Sequence, residues 1–284
     1  MLVRCPAKVN LFLSVGPPDR RRYHPIRTVF QAVGLFDEIE ITPADAFELS
    51  VEGTDLPESN TITKTLRLVR EIVDVPPIAV RLVKRIPAES GLGGGSSDAA
   101  GLLRGLRRIV PSPLTDHQER DVAVAVGADV PFFLVGGRAM GEGYGERLTP
   151  LPDPQKTWLA IVRPAFGSST AEAYRALDSH DRAWAAFPPG VGPDVPGGGP
   201  LIGSHAEGWI NDFERVIGCG AIELIERLEA HGASRAMLSG SGSAVFGVFG
   251  DRQVAETAAD RVLAEAPEAR AWVVSTLSRS ESLA

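Results

Sequence analysis

The chain has 284 residues, of which 44% are hydrophobic and 23% charged, proportions that suit a globular protein with two ordinary domains or one large α/β unit. A formal net charge of −7 disfavours a nucleic-acid partner, which calls for a basic face, yet leaves room for a small anionic substrate in a locally positive pocket. Cys5, Cys219 and five scattered histidines supply neither a disulfide framework nor a metal-type spacing, and no apolar run approaches a membrane span. Lys8 and Asn10 interrupt the only candidate hydrophobic stretch of a secretory leader, so a cytoplasmic, reducing location is expected, with no membrane partner.

Val9 to Val15 is predicted to be a strand, with Lys8 and Asn10 on one face of the pleat. A polar turn, Gly16 to Arg22, leads into Tyr23-His24-Pro25. Thr28 to Leu35 and Glu38 to Thr42 read as two strands joined around Phe36-Asp37, and Phe47 to Glu52 as a further short one. Asn60 is placed to cap a helix over Ile62 to Val73, whose Ile62, Leu66, Val69 and Val73 share a face. Ile78 to Ile86 alternates as a strand does. After it comes Pro87-Ala88-Glu89-Ser90-Gly91-Leu92-Gly93-Gly94-Gly95-Ser96-Ser97-Asp98-Ala99, then a helix whose apolar residues recur from Ala99 to Val110 at three- and four-residue spacings. Ser96, Ser97 or Asp98 is its expected cap. A helix from Thr115 to Val126, capped by Thr115 or Asp116, ends at Gly127 and opens a buried segment to Leu134; Gly136 to Gly145 reads as a turn between strands.

Pro150-Leu151-Pro152-Asp153-Pro154 is the clearest linker signal and divides the chain into residues 1–153 and 154–284. Beyond it a strand (Trp158 to Val162) and a helix (Thr170 to Leu177) are expected, then a proline- and glycine-rich loop without a packed core (Phe187 to Pro200). Helices follow at Asn211 to Ile217 and Ala221 to His231, ended by Gly218 and Gly232. Ala236 to Leu238, Ser239 to Ser243 and Ala244 to Phe249 read as strand, tight turn and strand, before a helix (Val254 to Leu263) and a closing strand (Ala271 to Leu277). The order is that of an α+β protein.

A strand, a glycine loop and a helix start make an anion cradle, because glycines admit a close backbone and free amides point at the anion. The loop lacks the Lys-Ser or Lys-Thr of a P-loop, and Ser96 stands where a dinucleotide fingerprint has its third glycine or alanine. A flexible connection or a tight helix start is the plainer alternative. The loop's close fit between strand and helix favours the phosphates of a nucleoside triphosphate. Phosphoryl transfer to an alcohol needs a proton acceptor and positive charge beside the transferred group, which Asp129 and Lys8 can supply. Each also has a plain reading, as a turn or cap aspartate and a solvated lysine. Tyr23 can stack on a base and His24 can bond its edge, or the two are simply packed and exposed. Arg20, Arg21 and Arg22 read as a solvated loop, and Ser239 to Ser243 as either a hairpin turn or a second backbone nest.

Six motifs then carry a resemblance: Pro6-Ala7-Lys8-Val9-Asn10-Leu11, Tyr23-His24, Gly91-Leu92-Gly93-Gly94-Gly95-Ser96-Ser97, Gly127-Ala128-Asp129-Val130-Pro131, Asn211-Asp212-Phe213-Glu214 and Leu238-Ser239-Gly240-Ser241-Gly242. In this order they resemble the kinase superfamily of galactokinase, homoserine kinase, mevalonate kinase and phosphomevalonate kinase, and within it the 4-diphosphocytidyl-2-C-methyl-D-erythritol kinase family of the non-mevalonate isoprenoid route. The resemblance implies an N-terminal domain like ribosomal protein S5 domain 2 and a ferredoxin-like C-terminal domain, with the site in the cleft between them. It implies ATP and Mg²⁺ as cofactors, and Lys8 with Asp129 as the catalytic pair, Asp129 taking the proton of the substrate's 2-hydroxyl. Pro87, Ala88, Glu89, Ser90, Gly91, Leu92, Gly93, Gly94, Gly95, Ser96 and Ser97 would wrap the ATP phosphates, with Asn60 on the adenine side. His24 would read the cytosine, Tyr23 and Tyr174 would sandwich it, and Asn10 and Thr170 would line the pocket. Metal ligands stay open between Ser97 and the ATP phosphates themselves. The expected partner is a small cytidyl diphosphate alcohol, bound by a monomer or weak homodimer. The alternative acceptors are homoserine or mevalonate; a nucleotide-binding protein without activity is disfavoured by Lys8 and Asp129, and an RNA-binding module by the acidic balance. The family has Asp-Gly before Tyr-His where this chain has Arg21-Arg22, which alters the turn leading to the base.

Overall fold

Strand β1 (Leu2–Val15) and the long β2 (Ile26–Pro43) form the antiparallel spine of the computed structural model, which describes residues 1–180, 182–195 and 208–284. β2 is one strand, not the expected two. Its pairing with β1 jumps from Pro6↔Phe36 to Ala7↔Val33, so Gly34-Leu35, next to the expected Phe36-Asp37 junction, form a bulge within one strand, which bends the ladder without ending it. β4 (Ile78–Val83) and β5 (Arg138–Glu142) share the other edge of β2; β3 (Glu48–Glu52) runs parallel to β4, and β6 (Arg147–Leu151) pairs with β5. The expected turn over Gly136 to Gly145 is thus strand β5 between two glycine turns. Gly136, Gly137, Gly143 and Gly145 all take positive φ, and their concentration at both ends hid the short strand.

Helices α1 (Thr61–Arg70), α2 (Gly94–Ile109), α3 (Asp116–Val126) and α4 (Val130–Val135) bury their apolar stripes against this sheet, in a core that includes Ile39, Ile62, Leu66, Leu103, Leu106 and Phe132. Asn60 and Thr115 cap α1 and α3 through capping boxes, as expected. The expected serine or aspartate cap of α2 is absent. α2 starts at Gly94 with Gly93 before it at φ 75° and no side-chain cap, because glycine tolerates the left-handed turn from which the helix begins.

The second sheet holds β7 (Trp158–Arg163), β8 (Arg235–Leu238), β9 (Val245–Phe249) and β10 (Arg270–Ser275) in the order β10-β7-β9-β8, antiparallel throughout. With α6 (Cys219–Ala230) after β7 and α7 (Arg252–Glu265) after β9, it is a ferredoxin-like βαββαβ unit; α5 (Thr170–Asp178) is added between β7 and α6. The chain is therefore α+β with two sheets. The expected helix at Asn211 to Ile217 is only a 3₁₀ turn, Asp212–Arg215. Buried Asp212 explains it: its carboxylate accepts from Val15 N at 2.7 Å and Ser14 Oγ at 3.1 Å, which pins the turn to the end of β1. Residues 187–195 form turns and irregular backbone; the rest of the expected loop, 196–200, lies outside the described residues.

Leu159 and Ile161 of β7 and Phe246 and Val248 of β9 pack on Val9, Leu11, Val29 and Val33 of the first sheet. Leu277 N donates to Ala32 O at 2.9 Å, and Leu277 joins the first core. α8 (Arg279–Leu283) then packs on the first layer, with Ser282 Oγ accepting from Gly137 N at 2.9 Å. The tail of the 154–284 segment thus lies spatially with the first half.

α2 sits close to the sheet because Gly101 and Gly105 face it one turn apart. A Cβ at Gly101 would lie 2.3 Å from Cys5 Sγ, and one at Gly105 2.5 Å from Ile41 Cδ1. Beneath the first turn of α2, buried Lys84 bonds Asp37 and, at 2.6 Å, Asp98 Oδ2. Asp37 also accepts from Ile86 N at 2.8 Å and from Arg85 N, so it is the carboxylate with more hydrogen-bond donors. Two carboxylates and one ammonium leave a surplus negative charge in a dry place. Burial pushes the Asp98 carboxyl up to about 8 against the pull of Lys84. Burial works against Lys84 too, but Asp98 and Asp37 hold its ammonium above the ordinary lysine value.

Two outcomes follow from this packing. Gly101→Ala is expected to lose about 1–3 kcal/mol by overpacking, outweighing a helix-propensity gain of at most about 1 kcal/mol, in a urea titration; Cys5→Ala in the same chain should return part of it. Asp98 holds a proton in the folded state that the unfolded chain releases near about pH 4. Its contribution to stability is therefore present at acid pH and lost as pH rises through about 8. Asp98→Asn should flatten this decline when denaturation midpoints are compared between about pH 5 and about pH 8; an unchanged slope would assign the proton elsewhere.

Candidate active site

The bulge in the spine decides which way Lys8 points. Before it, Val3 and Cys5 lie in the helix-side core; after it, Ala7, Val9 and Leu11 lie between the sheets. The alternation has changed parity, so Lys8 and Asn10 face the helices. Lys8 is 3% exposed. Its Nζ donates to Asn10 Oδ1 at 2.6 Å and lies 3.5 Å from Asp129 Oδ2. Asn10 Nδ2 donates to Thr28 Oγ1 at 2.7 Å, and Thr28 donates to Phe12 O at 2.7 Å, a chain that turns the amide oxygen toward the ammonium.

Asp129 occupies the cap position of α4 but makes no capping hydrogen bond. Its carboxylate is 31% exposed and stays beside Lys8, so the plain capping reading does not describe it. The lysine is no solvated surface residue either.

Over this pair two glycine segments meet. Gly91 and Gly93 have φ of 74° and 75°. A Cβ at Gly91 would lie 1.9 Å from Ser239 O, and one at Gly93 2.8 Å from Phe133 Cζ and 3.2 Å from Lys8 Cγ. From the other side, a Cβ at Gly240 would come within 3.3 Å of Lys8 Nζ. Lys8 N donates to Leu92 O at 3.0 Å, Ser239 Oγ to Gly91 O at 3.0 Å, Ala244 N to Ser90 O at 3.1 Å, and Ser90 Oγ to Pro87 O at 2.6 Å. The Ser239 to Ser243 segment is a hairpin turn between β8 and β9, and it is also the second wall of this place. α2 begins without a side-chain cap, so its first amides lack a capping acceptor, and Ser97 Oγ is buried with no hydrogen-bond partner among the described residues. No group of three or more His, Cys, Asp or Glu residues that could hold a metal occurs among the described residues. Asn60 spends its side chain on α1, accepting from Ile62 N and Thr63 N at 2.9 and 3.1 Å and donating to Pro57 O at 2.9 Å.

The aromatic residues pair differently from the expected sandwich. Tyr174 stacks on His24 at 5.1 Å and packs edge-on to Phe213 at 4.9 Å; burial, then Asp129, push its phenol up to about 12. His24 is buried, with Nδ1 2.9 Å from Gly16 O and Nε2 3.2 Å from Asp178 Oδ1. Tyr23 is 65% exposed, and its ring neighbour is Tyr144 at 5.8 Å. Tyr144 donates its hydroxyl to Asp19 Oδ2 at 2.5 Å, which holds that carboxyl below the ordinary range. Asp19 Oδ1 also accepts from Tyr23 N at 3.0 Å and Arg21 N at 2.8 Å, so the turn survives without the Asp-Gly pair. Arg22 bears the difference, at φ 64°, a region that disfavours side chains. Thr170 Oγ1 lies 2.9 Å from Ser241 Oγ, at the glycine turn. Thr28, Tyr144 and Asp178 were not singled out from the sequence. Only Tyr144, an aromatic between Gly143 and Gly145, carried a local signal.

Residues 60–137 match the model of the GHMP kinases N-terminal domain, and residues 221–268 that of the GHMP kinases C-terminal domain. The chain is 37% identical to the 4-diphosphocytidyl-2-C-methyl-D-erythritol kinase of Symbiobacterium thermophilum, across 98% of this chain and all of the relative. It is 36% identical to the enzyme of the same name from Deinococcus radiodurans, across 92% and 88%. A crystal structure of 4-(cytidine 5′-diphospho)-2C-methyl-D-erythritol kinase superposes with a TM-score of 0.77 at 30% identity, covering 97% of this chain and 99% of the other. A homoserine kinase from Cytophaga hutchinsonii, at 18% identity and a TM-score of 0.67, shares the fold. With identity of this order running the whole length of its relatives, the chain belongs to the 4-diphosphocytidyl-2-C-methyl-D-erythritol kinase family of small-molecule kinases.

Proposed function

We propose that the protein transfers the γ-phosphoryl group of ATP to the 2-hydroxyl of 4-diphosphocytidyl-2-C-methyl-D-erythritol. The observation that carries this reading is the buried Lys8 ammonium, 3.5 Å from an uncapping Asp129, at the junction of two glycine segments. Pro87 to Ser97 and the open amides of α2 hold the ATP phosphates. Asp129 is exposed enough to meet an acceptor hydroxyl and takes its proton as the oxygen attacks. Lys8 orients that carboxylate and offsets the charge that develops on the transferred group. The partnerless Ser97 hydroxyl at the first turn of α2 fits a magnesium ion, which Ser97 would hold together with the ATP phosphates and which would neutralise phosphate charge. Asn60 frames the adenine side through the helix start that it caps.

The base belongs at the exposed Tyr23 ring, with Tyr144 braced beside it by Asp19. Both ring nitrogens of His24 are engaged within the fold, so recognition there falls to the backbone of the Tyr23-His24 turn or requires exchange of the Asp178 contact. Tyr174 supports His24 from behind, and Asn10 and Thr170 line the acceptor side. In this reading residues 1–153 carry ATP and the catalytic pair, while 154–284 close the acceptor side.

An ADP-release assay with the purified chain should show turnover with the cytidyl substrate and none with mevalonate or homoserine. Asp129→Asn is expected to lower kcat by about 10²–10⁴-fold with ATP binding largely retained; full activity would remove Asp129 from its role. Tyr23→Ala should raise the acceptor KM by about tenfold and leave the KM for ATP alone, as loss of a base-stacking face requires.

A further inference from the structure

Arg163 ends β7 and Arg270 begins β10, and the two are direct cross-strand partners. Like charges directly opposite one another destabilise a sheet. They have the same parity as Ile161 and Trp272, which face the first sheet, so both project from the inner face of the second sheet. Neither has an ion pair among the described residues, and Arg163 Nε is buried there without a hydrogen-bond partner. Both open on a cleft of about 670 Å³ that is also lined by Arg85, Pro87, Ala88 and Trp272. Arg85 is paired with Glu38 at 2.9 Å, and Lys84 with Asp37 and Asp98, so the uncompensated charge is that of Arg163 and Arg270. Arg163 is half-buried and Arg270 exposed; two like guanidiniums on opposite strand positions repel unless an anion lies between them, and two planar forks match phosphate oxygens well.

We propose that this cleft binds a phosphate- or diphosphate-bearing anion between Arg163 and Arg270, a second anion site that shares only the Pro87-Ala88 edge with the phosphate cradle of the glycine loop. Pro87 and Ala88 line one side of it, so an anion there would brace the second sheet against the segment that leads into that loop. Nothing in the proposed kinase reaction uses either arginine.

The test is calorimetric titration of the full chain with inorganic pyrophosphate, in magnesium-free buffer, with and without saturating ADP. Pyrophosphate should bind in both conditions. Arg163→Met and Arg270→Ser should each weaken binding by at least about tenfold while leaving both kinase KM values unchanged. Thermal melting gives a second readout: pyrophosphate should raise the Tm of the unaltered chain but not that of the Arg163→Met/Arg270→Ser variant. Displacement of pyrophosphate by ADP would assign the arginines to the nucleotide's own site and overturn the proposal. So would equal affinity in the variants, or no binding at all.

Discussion

A lysine ammonium kept almost out of water sets the terms for the rest of this structure. Removing such a charge from solvent costs several kcal/mol unless acceptors replace the water, and here Asn10 and Asp129 do so. That arrangement needs the β1–β2 bulge to turn Lys8 toward the helices, Thr28 to orient the Asn10 amide, and α4 to begin where Asp129 meets the ammonium. It also needs no side chain overhead. Gly93 and Gly240 meet that need, since a Cβ at either would come within 3.3 Å of the Lys8 side chain.

A second buried ionic cluster lies one layer below, where Lys84 joins Asp37 to Asp98 under the first turn of α2. An ionised aspartate there would answer the positive end of the helix from within and weaken its attraction for an outside anion. Burial raises the Asp98 carboxyl well above the ordinary aspartate range, which lessens that competing charge. The cluster thus anchors the first turn of α2 to β2 beside its bulge.

The two sheets meet at the site as well as in the core. The loop comes from the first layer, the Ser239 to Ser243 turn from the second, and hydrogen bonds from Ser239 and Ala244 to Gly91 and Ser90 join them. Thr170 and Ser168 tie the same turn to the start of α5. The proposed acceptor and donor sides are thus linked through backbone that tolerates no added side chain at Gly91.

Much was legible from local sequence because its causes are local. The glycines of the loop, the capping boxes of Asn60 and Thr115, the apolar spacing of α2 and the strand-turn-strand around Ser239 depend on nearby residues, and so does the succession of elements that makes the protein α+β. The motifs, read together, carried the family resemblance and named Lys8 and Asp129. Tertiary structure decided the rest. Whether Thr28 to Thr42 is one strand or two depends on register with a partner. Whether Asn211 to Ile217 becomes a full helix depends on the bonds that buried Asp212 makes to Ser14 and Val15. Whether Tyr174 faces Tyr23 or His24 depends on how α5 packs. Arg163 and Arg270 are unremarkable 107 positions apart in sequence; only strand pairing makes them neighbours. Propensity and turn chemistry act over a few residues, whereas register, parity and burial are settled by contacts between segments that the order of residues alone does not bring together.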